Sequence, residues 1–352
     1  MVLVLGVSAG SSGARAILAH SDQPHQHPID QCVVARRPGA SVGEPVAAVI
    51  DAMHSAAAER GELITAIAVT YRCDMHAESI KSSVPIPGAT PTRLVKESTA
   101  QMRYLRFTGR LPKAGTVVLY DLGSSGLTLT LADCVSGTPI RTRRSTVLGG
   151  DEYDAQIHHH LAHVGIASDV ATCRQHKEAL SSDRIITAAD PVTGNRMVLT
   201  RSDIAYLQSA GIHDSASFVR HLLEESGDTP EAVVLLGGCT RNPLVEEWLN
   251  STLDLPTISE ADPEVVSARG AVALAGDRPA RVIRVARAIG ASAPPGTAVS
   301  RRKIFAAVAV TGVLAATIAG LMLGNRSTDE PAHNDVSPSP MEVAGIPKTP
   351  FP

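Results

Sequence analysis

The chain has 352 residues, a net charge of −3 and only 3% aromatic residues. That length allows a large core or two lobes, the core must be aliphatic, and no global basic field points to nucleic acid as a partner. Five scattered cysteines, Cys32, Cys73, Cys134, Cys173 and Cys239, form no Cys-x-x-Cys pair, which speaks against a disulfide scaffold or structural zinc and fits a reducing compartment. The opening MVLVLGVSAG has no basic stretch and no long apolar run, so it does not read as a secretory signal.

Taken in chain order, residues 1–276 alternate strand-like and helix-like segments, the pattern of layered α/β lobes. Residues 2–7 (VLVLGV) predict a strand and 14–19 its hairpin partner. Apolar residues recur at helical spacing over 46–60, and 67–70 is a short buried strand. Residues 92–106 read as a loop followed by a helix, and 117–132 as a hairpin. A helix over 151–163 puts Tyr153, Ile157 and Leu161 on one face, and another helix covers 215–225. Residues 233–238 (VVLLGG) are a buried strand ending in glycines, followed by helices over 243–253 and 264–275. Of the histidines His158, His159, His160 and His163, only His159 and His163 share a helix face. With no third ligand in view they read as a polar face rather than a metal site.

Beyond residue 276 the composition changes. Residues 277–303 read as a basic Pro/Gly linker, with Arg278, Arg281, Arg284 and Arg287 spaced by three. These are either solvated charges or a basic face against anionic lipid. Residues 304–323 run for 20 residues without a charge, which at 1.5 Å per residue spans roughly 30 Å, a bilayer core. Residues 304–324 are therefore expected to be a transmembrane helix, with a buried core helix as the alternative. Arg301, Arg302 and Lys303 put the N-terminal bulk in the cytoplasm and a disordered, Pro-rich tail, 325–352, outside a cell membrane crossed once. Gly312, Ala316, Gly320 and Gly324 recur every fourth residue, a stripe that would let two such helices pair as a homodimer.

Three glycine-rich turns carry the chemistry: residues 5–18 (LGVSAGSSGARAIL), 117–133 (VVLYDLGSSGLTLTLAD) and 233–249 (VVLLGGCTRNPLVEEWL). In the second, the break at 121–126 looks longer than the two residues that close an ordinary hairpin. Small-residue hairpins can aim backbone N–H groups at anionic oxygens. A strand ending in Gly-Gly leaves room for a flat ring. Together the three turns predict a nucleotide site between two lobes.

With these turns in this order, the chain resembles the actin-like ATPase superfamily and, in detail, the nucleotide-binding domain of DnaK-type heat-shock chaperones. Residues 95–105 (VKESTAQMRYL), 148–161 (LGGDEYDAQIHHHL) and 172–182 (TCRQHKEALSS) resemble that family's connecting helix, Gly-Gly-acidic helix start and purine-side helix. The resemblance covers about 1–276. It implies a two-lobed actin-like (ribonuclease H-like) α/β fold, with lobe I at about 1–148 plus about 262–276 and lobe II at about 149–261. It also implies ATP or ADP with Mg2+ as cofactors. By the same resemblance, Gly10, Ser11 and Ser12 wrap the β- and γ-phosphates. Asp121 acts on magnesium through water, within a second phosphate loop that includes Gly123, Ser124 and Ser125. Glu97 positions the attacking water, so Asp121 and Glu97 are the catalytic candidates. Gly149 and Gly150 fall near ribose and phosphates, and Lys177 and Ser181 contact ribose and adenine. Gly237, Gly238 and Arg241 match the adenosine strand, Arg241 stacking its guanidinium on the base. Glu264 matches an acidic residue after proline.

The departures from the pattern are specific. Ser8 stands where the family has a magnesium-binding aspartate, and Gly126 where it has a catalytic threonine. Too few residues separate Ala19 from Val46 for the peripheral subdomain of the first lobe, which carries a water-activating lysine; no substitute for that lysine is evident. Arg174 and Glu178 change the charge of two purine-side positions. Phosphoryl transfer rests on positioning and on neutralising charge, so nucleotide binding is expected to outlast efficient hydrolysis. The expected function is a membrane-anchored, chaperone-like ATP/ADP-binding protein whose nucleotide state gates a protein partner in the membrane or envelope at the cytoplasmic face. Two alternatives stand beside it: an active chaperone-type ATPase working with a separate client-binding partner, and a scaffold that binds no nucleotide.

Overall fold

The computed structural model describes residues 2–84 and 90–277. Strands β1 (Leu3–Ala9), β2 (Gly13–His20) and β3 (Asp30–Ala35) form an antiparallel meander. Only residues 36–42 separate β3 from helix α1 (Gly43–Glu59), so nothing is inserted there. β4 (Ala66–Tyr71) pairs parallel to β1, and helix α2 (Asp74–Ser83) follows. β5 (Thr92–Lys96) then pairs parallel to β4. Sequence periodicity read this segment as a loop, because an edge strand with a single buried residue carries little apolar alternation. The sheet order is β3-β2-β1-β4-β5.

Helix α3 (Glu97–Phe107) leads to a second meander, β6 (Thr116–Gly123), β7 (Gly126–Asp133) and β8 (Pro139–Ser145). Helices α4 (Gly150–His163) and α5 (Val170–Ser182) and the hairpin β9 (Ile185–Ala189) and β10 (Arg196–Thr200) come next. Helix α6 (Arg201–Ser226) is more than twice the expected length. It opens on a capping box between Thr200 and Asp203 and stops at Gly227, whose φ of 69° ends the helix. β11 (Ala232–Leu236), a 3-10 turn at Gly238–Arg241, helix α7 (Pro243–Thr252), β12 (Thr257–Ser259) and helix α8 (Val266–Gly276) complete the described chain.

The second sheet has the order β12-β11-β6-β7-β8, which repeats the topology of the first. β6 through β8 therefore belong with β11 and β12, and the division between lobes falls between α3 and β6 rather than near residue 148. The central strands β1 and β6 are nearly all Val, Leu and other apolar residues because both faces of each sheet are covered. One face of the first sheet packs on α1 and α2 through Val46, Val49, Met53 and Ile80. Its other face packs on α8 through Ala268, Ala271, Val272 and Ala275. The second sheet packs on α3 through Met102 and Leu105 and on α6 and α7 through Ile212, Val219, Val245 and Leu249. Helices α3 and α8 thus lie between the sheets. They approach closely at Gly270, where a Cβ would strike the Ala100 backbone carbonyl.

The membrane-anchored reading is corrected here. No helix among the described residues is long and apolar enough to cross a membrane. The linker at 277–303, the expected transmembrane helix at 304–324 with its pairing stripe Gly312, Ala316, Gly320 and Gly324, and the tail at 325–352 lie, from residue 278 onward, outside the described residues. Hydropathy alone marked that segment, and no observed helix supports a single-pass location, a membrane-embedded partner or an outside tail.

Candidate functional site

The two sheets open on a cleft of about 620 Å³, within the range of small-molecule sites. Across it stand two copies of one tetrapeptide, Gly-Ser-Ser-Gly, at residues 10–13 and 123–126. In the second copy Gly123 and Gly126 lie opposite each other in the ladder. The turn is therefore just Ser124 and Ser125, shorter than the sequence suggested. In the first copy the Gly10 N–H donates to the Gly13 carbonyl at 2.8 Å. Gly13 and Gly126 have φ of 153° and 145°, a region that favours glycine. A Cβ at either would strike a carbonyl of the third strand, that of Val34 or of Ser145. The approach of β8 thus explains why residue 126 is not the threonine of the resemblance. The Ser11 and Ser124 hydroxyls meet at 2.8 Å, so the hairpins face one another.

Below the hairpins sit two carboxylates. Asp121 lies near the end of β6 and Glu97 is the first residue of α3. The Gln101 amide donates to Asp121 Oδ2 at 2.7 Å and to Ser267 Oγ at 3.2 Å. The Ser267 hydroxyl donates to Glu97 Oε1 at 3.3 Å. Burial, then the neighbouring Asp121 carboxylate, push the Glu97 carboxyl up to about 7, against the pull of the Arg72 guanidinium. Burial likewise raises Asp121, opposed by Arg72 and by the Gln101 hydrogen bond. Arg72 Nε lies 3.6 Å from Glu97 Oε2, and its Nη1 donates to Ser125 Oγ at 3.4 Å. Arg144, on β8, donates to the carbonyl and hydroxyl of the same Ser125 at 2.9 and 2.8 Å.

The far end of the cleft is built from helices of the second lobe and the end of β11. Lys177 Nζ donates to the Gly150 carbonyl at 2.8 Å and lies 2.6 Å from Asp154 Oδ1. Arg174 bridges Asp154 and Asp151 at 3.0 and 2.7 Å. Ser181 lies one helical turn on, its hydroxyl on the Lys177 carbonyl. Arg241 is forked onto Glu264 at 2.9 and 2.7 Å and reaches Asp262 at 2.7 Å, which fixes the plane of its guanidinium. Gly237, at φ 84°, presses so closely on the second hairpin that a Cβ would lie 2.5 Å from the Leu122 carbonyl and 2.6 Å from Asp121 Oδ1. Gly238 lines the cleft with room to spare. Burial pushes the Cys239 thiol up to about 11, so this cleft cysteine stays protonated.

The predicted site residues therefore converge on one cleft, Ser8 and Glu178 included, with two exceptions. Ser125 is taken up by the two arginines. Gly149 packs behind the second hairpin, where a Cβ would lie 2.5 Å from the Gly126 nitrogen. Among the described residues, no group of three His, Cys, Asp or Glu side chains converges to hold a metal ion. Sequence reading assigned no role to Arg72, Arg144, Gln101, Asp154 or Asp262. Two signals were available: the repeated Gly-Ser-Ser-Gly, and a charged residue directly after the parallel strand β4, at the strand end where α/β sheets bind ligands.

Comparison with known proteins agrees with this geometry. The family model for Hsp70 protein matches residues 41–277. A chaperone protein HscA homolog of Shewanella putrefaciens is 27% identical over 231 residues, covering 60% of this chain and 36% of the relative. Those of Shewanella denitrificans and Shewanella sediminis are 27% identical over 228 and 219 residues. The chain spans little more than a third of the length of these curated relatives. Such kinship implies a nucleotide cleft, and the residues present fit one. The chain belongs to the Hsp70 protein family.

Proposed function

We propose that the cleft binds ATP and ADP with magnesium and runs a chaperone-type ATPase cycle, with client binding supplied by a separate partner. The observation that carries this reading is the pair of Gly-Ser-Ser-Gly hairpins facing each other at 2.8 Å over the Glu97–Asp121 pair. In this reading the hairpin N–H groups hold the phosphates from both sides. Arg241, oriented by Glu264 and Asp262, stacks on the purine, and Lys177 and Ser181 meet the sugar and base edge. Asp121 is the residue that would hold a magnesium ion here, and the ion would supply positive charge against the phosphates. Water adds to the terminal phosphorus as the bond to the bridging oxygen breaks, and its proton passes to the Glu97–Asp121 pair. The relatives are named as chaperones, and this reading places client binding outside the described residues.

The test is calorimetry and thermal unfolding of the full chain with MgATP and MgADP. Nucleotide at a hundred times its Kd should stabilise the fold by about 2.7 kcal/mol, raising Tm by about 5–10 °C. Asp121→Ala should cut turnover by about a hundredfold or more. Absence of binding heat and of any Tm shift would reject the reading. Unchanged turnover in Asp121→Ala would reject its catalytic part.

A further inference from the structure

Arg72 is a cleft arginine that the residue-by-residue resemblance leaves without a role. It follows β4, whose carboxyl end opens on the cleft beside that of β1. Its side chain is 16% exposed, buried enough for its charge to act through little water. It reaches Glu97 at 3.6 Å and the Ser125 hydroxyl at 3.4 Å. Both distances exceed the 2.7–2.9 Å of a strong charge-assisted hydrogen bond. Arg241 and Arg174, by contrast, hold their carboxylates at 2.7–3.0 Å and are committed. Arg72 also links the lobes, since it comes from the first sheet and Ser125 from the hairpin of the second. Arg15 lines the cleft too, from β2, but among the described residues no hydrogen bond or ion pair joins it to either carboxylate or to the second hairpin. The first lobe has only residues 36–42 between β3 and α1, so no inserted segment there brings a further cation over the cleft.

We propose that Arg72 is the cation that meets the terminal phosphate of ATP, supplied from the end of β4. The inference rests on the nucleotide reading above. In the free protein Arg72 is parked on Ser125 and Glu97. When ATP enters, it exchanges the Ser125 hydroxyl for a terminal phosphate oxygen, a planar fork matched to that group. ADP offers no such oxygen, so Arg72 distinguishes the two nucleotides and ties lobe closure to the third phosphate. Arg144 keeps Ser125 in place after the exchange.

The experiment measures Kd for MgATP and MgADP by calorimetry on the full chain, for wild type, Arg72→Gln, Arg72→Lys and Arg15→Gln. Thermal unfolding without nucleotide checks that each variant is folded. Arg72→Gln should weaken ATP by about tenfold to a hundredfold, the range for a hydrogen bond between charged groups, and ADP by no more than about twofold. Arg72→Lys should recover part of the ATP affinity, and Arg15→Gln should leave the ATP-to-ADP ratio near that of wild type. Equal loss for both nucleotides, no loss, or a changed ratio in Arg15→Gln alone would overturn the proposal while leaving the nucleotide reading intact. A wild-type chain that binds neither nucleotide would overturn both.

Discussion

Gly270→Val should destabilise the fold by about 3 kcal/mol or more and abolish nucleotide binding with it. Gly270 sits in α8 where that helix crosses α3, and any side chain there would run into the Ala100 carbonyl. The obstacle is backbone, so no rotamer change relieves it, and the two helices must part. They are also the layer between the sheets. Ala268, Ala271 and Val272 of α8 cover the first sheet, while Met102 and Leu105 of α3 cover the second. Separating them moves the two hairpins apart. Gly238→Ala is the control, because its Cβ would find Glu264 Cβ at 3.8 Å, ordinary contact. Denaturant unfolding followed by circular dichroism and by the single tryptophan, Trp248, should show a large loss for Gly270→Val and less than about 1 kcal/mol for the control. Wild-type stability in Gly270→Val would mean that α3 and α8 do not touch as described.

The carboxylate pair makes a second expectation, in the absence of nucleotide and with divalent ions chelated. Only 15% of the Glu97 side chain faces solvent. Its carboxyl titrates at about 7 when folded, against 4.5 as the ordinary value. Between those values the folded chain holds a proton that the unfolded chain has released. Raising the pH through this window therefore favours unfolding, and stability falls from about pH 4.5 to about pH 7 before levelling. Sharing of charge with Asp121 and the solvent-facing edge reduce the effect to about 1–3 kcal/mol. Glu97→Gln keeps the shape but carries no charge, so it should be more stable than wild type at pH 8 and should match it near pH 5. Burial lowers His76 and His176, which gives a slope of opposite sign, so the difference between wild type and variant carries the information. Parallel curves for the two proteins would show that Glu97 is not held protonated by its surroundings.

The sequence disclosed those parts of the molecule whose signal is local. The glycine-serine hairpins, the VVLLGG strand and the helix with Tyr153, Ile157 and Leu161 on one face are all visible within a dozen residues. Elements defined by distant pairing were not. β8 (PIRTRRS) is a polar edge strand, and nothing in its composition says that β7 will accept it. The first half of α6 was hidden because its buried stripe includes the polar Gln208. The Gln208 side chain accepts from Asn242, so it is satisfied only once the lobe is assembled. The lobe boundary was misplaced because β6 finds its parallel partner β11 more than a hundred residues later. Arg72 was missed for a related reason. Its meaning lies in Glu97 and Ser125, which come from two other elements, and no spacing rule connects them. The absent threonine at 126 is the converse case. It read as a loss of chemistry, and the close pass of β8 shows it also as a requirement of packing.

A crystal structure of the full chain with ADP and Mg2+ tests most directly the claim that two matching hairpins clasp a nucleotide. The diphosphate is expected between residues 10–13 and 123–126, with the purine against Arg241 and the 2.8 Å bond between the Ser11 and Ser124 hydroxyls opened to admit it. A nucleotide bound elsewhere, or a cleft in which those two hydroxyls stay bonded at saturating ADP, would contradict it.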